Sequence, residues 1–343
     1  MPIRRGDTVI FPHPPVLAAW AAVGGKKERE GPLAQGFDEL VQDAGFDAEG
    51  CTGWEQAESM LQQRCARHCL RKAGIAKQQV ELAFAGDLQA QCTASNYTMR
   101  QLGVPFAGLY GACSTMAEAL CLAALCAAAG YAHEILAMSS SHFCAAERQF
   151  RTPLEYGGKR TPTAQWTATA AGCCVVGAQS EGPYITHVTR GRIVDWGITD
   201  AANMGAAMAP AAYDTLAALF RDTGTAPSDY DLVVTGDLGY LGHALLTELF
   251  RRDSVVLGDN CTDCGILLYD RVRQDMHAGG SGCGCSAAVF NGYLLHGLRT
   301  GKWQRLVFAP TGALLSPTST FQGESIPGIC HAVVLSRTKE AQR

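Results

Sequence analysis

Cys113 is the residue whose surroundings most clearly invite chemistry. It stands in Gly-Ala-Cys-Ser, a tight turn, at the head of the run GACSTMAEALCLAALCAAAG from Gly111 to Gly130. Met116 to Ala129 are strong helix formers with no Pro and no internal Gly, and Ser114 is placed to cap them. Glu118, the single charge, falls in the first turn, where the helix dipole favours an acid. A thiol at a helix N-terminus meets free N–H groups and a positive dipole end, which lower its pKa and attract anions. A small core cysteine beside a turn has the same local sequence, so both readings stand at this level. Other reactive groups follow strand-like runs. Asp87 lies in Gly-Asp-Leu after VELAFA, His142 ends SSSH, Asp237 lies in a second Gly-Asp-Leu after DLVVT, and Ser281 and Cys283 sit in GGSGCGC.

The elements that must position these groups are readable from periodicity and breakers. Trp54–Ala73 is predicted helical, with Ala57, Leu61, Cys65 and Cys69 on one face and Gly74 as the stop. Strands are predicted over 80–85, 105–109 and 134–138, with a short helix over 95–102. The segment 143–169 is polar and aromatic, carries Arg148 and Arg151, and reads equally as a lid or pocket wall and as a solvated loop. Residues 1–35 read as an irregular or short β entry, and 170–177 with 184–189 as a hairpin. The plan then recurs: a strand over 231–235, a helix over 241–250, the glycine-rich turn, a buried helix over 286–298 and a strand over 305–309. The spacing from Cys113 to Gly130 nearly equals that from Cys285 to Gly301, so the chain carries an internal duplication. Alternating strands and helices imply parallel sheets, whose ligands bind beyond the carboxyl ends of the strands.

Composition narrows the classes. The 343 residues are 47% hydrophobic and 17% charged with a net charge of −4, which supplies ample core and no global attraction for nucleic acid. The 15 cysteines are odd in number and many lie in apolar runs, which argues for reduced core thiols rather than a disulfide framework. No apolar run is long enough to span a bilayer, and Asp7 and Pro12 to Pro15 interrupt any signal-peptide pattern. No phosphate loop, dinucleotide fingerprint or well-spaced zinc motif occurs, so neither a cofactor nor a metal is expected.

Two halves with Gly-Ala-Cys-Ser opening the central helix resemble the thiolase and ketoacyl synthase superfamily over essentially the whole chain. The resemblance implies a duplicated five-layer α/β/α/β/α fold with halves 1–180 and 181–343. It places Cys113 as the acyl-accepting nucleophile, with His and His, or His and Asn, supplied by the second half. Both partner positions depart from that pattern. Gly236 or Asp237 holds the histidine position, and Ser281 or Cys283 stands in the glycine-rich turn. Losing both donors removes on the order of several kcal/mol of transition-state stabilisation, so carbon–carbon bond formation is not expected.

A narrower resemblance rests on AGDL (85–88), GACSTMAEAL (111–120), SSSH (139–142), AERQFRTPLEYGG (146–158), PTAQWT (162–167), NMGAAMAPAA (203–212), TGDLG (235–239), AGGSGCGCSA (278–287), TGALLSP (311–317) and QGESIP (322–327). These stretches resemble the stage V sporulation protein AD family of endospore-forming bacteria. The resemblance implies a non-catalytic protein that binds dipicolinic acid, free or as its calcium chelate, in uptake into the forespore and release in germination. Its implied partners are other stage V sporulation protein A-family membrane proteins. Its implied place is the cytoplasm or the periphery of the forespore membrane. It also implies a homodimer paired through the strand over 134–138. The alternative is an acyltransferase or 3-oxoacyl synthase-type condensing enzyme using Cys113. The expected ligand site is Asp87, Cys113, Ser114, His142, Arg148, Arg151, Ser281 and Cys283, with His142 and the two arginines donating charge-assisted bonds.

Overall fold

A computed structural model describes residues 1–42, 51–150, 160–177 and 181–339. Ten strands form the main path of one large sheet. In chain order they are β1 (Val16–Gly24), β2 (Leu82–Gly86), β3 (Phe106–Gly108), β4 (Ile135–Ser141), β5 (Ala170–Gly177), β6 (Tyr184–Thr189), β7 (Leu232–Thr235), β8 (Cys261–Asp263), β9 (Arg305–Ala309) and β10 (Ala332–Ser336). Their spatial order is β8-β7-β9-β10-β6-β1-β5-β4-β2-β3. The order reads alike from either edge. In each half two parallel pairings at the edge (β3-β2-β4 and β8-β7-β9) give way to antiparallel pairings further in. The halves meet at β6, which pairs Tyr184 with Val16 of β1 and His187–Thr189 with the short strand Thr8–Ile10.

Alternation along the strands builds three cores, because successive side chains point to opposite faces. On the outer face of the first half, Ala83, Leu136 and Cys173 meet Leu61, Cys65 and Cys69 of α1 (Trp54–Ala73) and Met99 of α2 (Thr93–Leu102). Their sequence neighbours Phe84, Ile135 and Cys174 face inward. There they share one core with Met116 and Leu120 of α3 (Thr115–Ala128) and with the second-half residues Leu306, Phe308 and Leu335. Val233, Val307 and Val334 face the other way, onto Met208, Leu216, Leu246 and Phe250 of the outer helices, Met204–Thr223 and Gly239–Arg252. Helix, sheet, helix, sheet, helix is the resulting order of layers. The segment Phe143–Phe150 forms α4, so the helices at Met204 and Gly239 are α5 and α6, and Cys283–Val289 is α7.

Several sequence expectations change here. The N-terminal stretch contains β1, a nine-residue strand buried at the centre of the sheet, where small residues let it sit between neighbours. β5 and β6 do not form a hairpin, because β1 lies between them. The sheet is mixed rather than parallel. The strand expected over 134–138 runs to Ser141 and is flanked by β2 on one side and β5 on the other. Its backbone groups are therefore already paired, and it cannot add a strand across a two-fold axis. The edge strand of that half is β3. The segment expected to be a lid begins as the helix α4.

Candidate functional site

The cysteine turn is tighter than a simple helix start. Ala112–Ser114 form a 3-10 turn before α3. Ala112 takes φ +48°, a left-handed backbone that costs a non-glycine residue energy and recurs at functional sites. Ser114 does not cap by accepting an N–H; its hydroxyl donates to the Gly111 carbonyl at 2.7 Å. The second half presses on this turn. A Cβ on Gly312 would stand 2.1 Å from the Gly111 carbonyl oxygen. Gly312→Val is therefore expected to displace the Cys113 turn and cost about 1–3 kcal/mol of stability. Thermal denaturation checks this, and an unchanged melting temperature would show that the turn has room.

Cys113 opens on a narrow cavity of about 60 Å³. Leu88 and Tyr110 line it from one side, Ala146, Glu147 and Phe150 from α4, Met204 and Met208 from α5, and Thr167, Ser281, Ala313 and Leu315 complete it. Three helices present their N-terminal ends here: Cys113 precedes α3, Met204 begins α5, and Ser281 closely precedes α7. Their dipoles favour negative charge, although the Ala206 N–H of α5 already donates to Asn203 Oδ1 and the Gly284 N–H of α7 to Ser141 Oγ.

Asp237 controls the thiol. It is fully buried, and its Oδ2 accepts from Ser281 Oγ at 2.9 Å and from the Gly282 N–H at 3.0 Å. Its Oδ1 accepts from Thr311 Oγ at 3.3 Å. The Cys113 thiol donates to the same carboxylate. Burial first, then this neighbouring carboxylate, push the Cys113 thiol well above its usual pKa. That reverses the expectation of a thiol activated by its helix. Burial raises Asp237 itself to about 6. At neutral pH the position of a nucleophile is thus held by a protonated thiol.

The expected residues divide into those at the cavity and those elsewhere. Cys113 and Ser281 line it. Cys283 packs beside Cys113 in the same apolar cluster, fully buried, with its Sγ donating to the Ser140 carbonyl at 2.8 Å. Ser114 is buried behind the turn. Asp87 faces inward, where its carboxylate accepts from the Gln89 N–H at 2.9 Å and from the Ser95 N–H and hydroxyl at 2.8 and 2.7 Å. It thereby anchors the start of α2. His142 lines a different cleft, with Lys26, Phe143 and Trp166. Burial lowers its pKa to about 4, so at neutral pH it is uncharged and is no cation for a ligand. Arg148 lies outside the cavity, in an ion pair with Glu55 and over the Trp54 ring at 5.2 Å. Arg151 falls outside the described residues. Neither Lys nor Arg lines the cavity among the described residues, so polar recognition there rests on neutral donors.

Sequence reasoning missed Tyr110, Glu147, Phe150, Met204 and Met208 as lining residues. A signal existed, since Leu88, Phe150, Thr167, Met204, Ser281 and Leu315 all lie in the irregular stretches that carry the resemblance. It also missed Glu58. Behind the cavity Glu58 accepts from Ser140 Oγ at 2.7 Å and Gln89 Nε2 at 2.6 Å. Burial, aided by the nearby Asp87 carboxylate, raises Glu58 to about 8. The native state therefore keeps a proton that the unfolded chain releases near 4.5. Stability should fall as pH rises through that window, by about 1.4 kcal/mol per unit at most. Glu58→Gln is expected to flatten that slope between neutral pH and 8 in urea titrations; an unchanged slope would assign the proton elsewhere.

A two-halved sheet enclosing a central helix, with a cysteine turn met by loops of the second half, defines a thiolase-like protein. Solved structures share this fold. 3-Oxoacyl-[acyl-carrier-protein] synthase III from Aquifex aeolicus VF5 superposes with a TM-score of 0.57 at 14% identity, covering 94% of this chain and 99% of its own. Cerulenin-bound OleA of Xanthomonas campestris superposes with a TM-score of 0.60 at 14% identity, covering 97% and 99%. Within that class the chain belongs to the Stage V sporulation protein AD (SpoVAD) family, whose model matches residues 5–336. It is 40% identical over 339 residues to Stage V sporulation protein AD of Bacillus subtilis (strain 168), covering 98% of each chain. No helix among the described residues is long and apolar enough to cross a membrane.

Proposed function

We propose that this sporulation-family protein is a non-catalytic binder of dipicolinic acid, with the ligand seated in the Cys113 cavity. The observation that carries the reading is Asp237 beside Cys113. An acyl-transferring cysteine needs a thiolate or a base to make one, and a carboxylate that keeps the thiol protonated works against both. The cavity suits a small flat acid instead. Leu88, Phe150, Met204 and Met208 offer apolar walls to a ring, and α3, α5 and α7 turn the positive ends of their dipoles toward carboxylates. Tyr110 and Thr167 add hydroxyl donors. The protein acts in this reading at the forespore membrane with stage V sporulation protein A-family membrane proteins, in uptake and release of the acid.

Calorimetry with dipicolinate, picolinate and isophthalate tests it. Dipicolinate is expected to bind with micromolar affinity. Picolinate should bind about ten- to a hundredfold more weakly, having lost one carboxylate. Equal affinity for the three acids would overturn the reading. Acidification toward pH 6 should tighten binding, because protonation of Asp237 removes a negative charge beside the ligand; affinity that falls between pH 8 and 6 would count against a ligand next to Asp237.

A homodimer belongs to the same proposal, formed through the edge strand β3 rather than through β4. Light scattering at micromolar concentration is expected to give twice the 36.4 kDa of one chain. A monomeric mass would refute it.

A further inference from the structure

We propose a second anion site, independent of the Cys113 cavity: the cleft on the outer face of α1 binds a phosphoryl group through Arg67 and Arg71. This cleft has a volume of about 410 Å³ and is lined by Glu39, Arg64, Arg67, His68 and Arg71. Glu39 is its single acid, and it is already engaged. It pairs with Arg64 and accepts from His68 Nε2 at 2.8 Å. Arg71 donates to His68 Nδ1 at 2.6 Å. An arginine has no acceptor, so Nδ1 must be the unprotonated nitrogen and Nε2 carries the hydrogen that Glu39 receives. The imidazole accepts from Arg71 and pins its guanidinium in place without placing a carboxylate on it.

Arg67 makes one contact, from Nε to the Gln63 carbonyl at 3.3 Å, and no described carboxylate pairs with Arg67 or Arg71. Two like charges at i and i+4 on one helix face disfavour the helix unless an anion lies between them. The nearby Lys72 is already neutralised by Asp38 at 2.5 Å. Among the described residues the cleft sets three arginines against the one acid Glu39, and that acid is taken up by Arg64 and His68, on a chain whose net charge is −4. Guanidinium forks match the paired oxygens of a phosphoryl group better than they match a single point anion. A soluble phosphorylated molecule and an anionic phospholipid headgroup present the same chemistry here.

The test uses the full chain, the double variant Arg67→Gln/Arg71→Gln and two probes. Inorganic phosphate is titrated by calorimetry at low ionic strength. In parallel, the protein is sedimented with phosphatidylcholine vesicles made with and without phosphatidylglycerol. Binding of phosphate, with a loss of about ten- to a hundredfold in the double variant, assigns a soluble ligand to the cleft. Sedimentation that needs phosphatidylglycerol and vanishes in the double variant assigns a headgroup. Binding to neither probe, or binding that the double variant leaves intact, overturns the proposal. Both substituted residues are on the surface of α1, so an unchanged thermal midpoint identifies a folded variant. Arg67→Lys/Arg71→Lys, which keeps the charge and loses the fork, should restore part of the binding. Dipicolinate titrations of the same variants should be unaffected, which separates this site from the Cys113 cavity.

Discussion

Cys113→Trp is expected to abolish dipicolinate binding, with an affinity loss of at least about a hundredfold, or roughly 3 kcal/mol. The side chain at position 113 faces a cavity of only about 60 Å³. Its own turn cannot retreat, because Gly312 already backs it at van der Waals contact. An indole would fill the space the ring needs. Cys113→Asp should be nearly as damaging for another reason. It would place a second carboxylate beside Asp237 and confront a dianion with both. Cys113→Ala removes only a thiol and leaves the backbone donors, so its effect should be small, within about tenfold. Overpacking itself costs about 1–3 kcal/mol, so each variant needs a melting curve beside its calorimetry. Unimpaired binding to folded Cys113→Trp would place the ligand elsewhere on the protein.

Asp237→His should switch the thiol on. In the native protein Cys113 is expected to react slowly with iodoacetamide at neutral pH and to form no stable adduct with an acyl-CoA. Burial and the Asp237 carboxylate both oppose the thiolate. Substitution by histidine removes the opposing charge and supplies a base. Each unit by which the thiol pKa falls multiplies the thiolate population about tenfold, so an alkylation rate about ten to a hundred times higher is expected. Peptide mapping after alkylation is needed, because Cys126, Cys144 and Cys261 are only partly buried. The native protein supplies the converse test. If it acylates at Cys113 and passes the group on, it is an acyltransferase and the binding reading falls.

The same carboxylate shows where reading the chain stopped. The departure from the superfamily pattern was visible in VVTGDLG and GGSGCGC, and it narrowed the histidine position to Gly236 or Asp237. Which residue met the thiol was not visible, and neither was the sign of the result. A helix N-terminus lowers a thiol pKa when nothing else intervenes. Here the Ser281, Gly282 and Thr311 donors hold an acid at the thiol. Arg148 and His142 fall away from the cavity for a similar reason. Arg148 is two residues from Ala146, which does line the cavity, yet it sits on another side of α4 and pairs with Glu55. His142 ends the right strand and opens onto a different cleft.

By itself the sequence determined what depends on near neighbours. The α1 helix runs from Trp54 to Ala73 as read, because its apolar positions recur at helical spacing and Gly74 takes the left-handed φ of +69° that ends it. The thiolase-like class was equally legible, since a cysteine turn followed by an apolar helix is a local pattern. Pairing partners were decided only by the tertiary structure. β5 and β6 are consecutive and strand-like, but nothing within either of them reveals that β1, from the start of the chain, lies between them. β4 looked free to pair outward because its partners β2 and β5 come from distant segments. The protonation of Cys113 belongs to the same group. It is set first by burial and then by Asp237, far along the chain, and a pKa answers to the burial and charge gathered around a group in space, which local spacing does not encode.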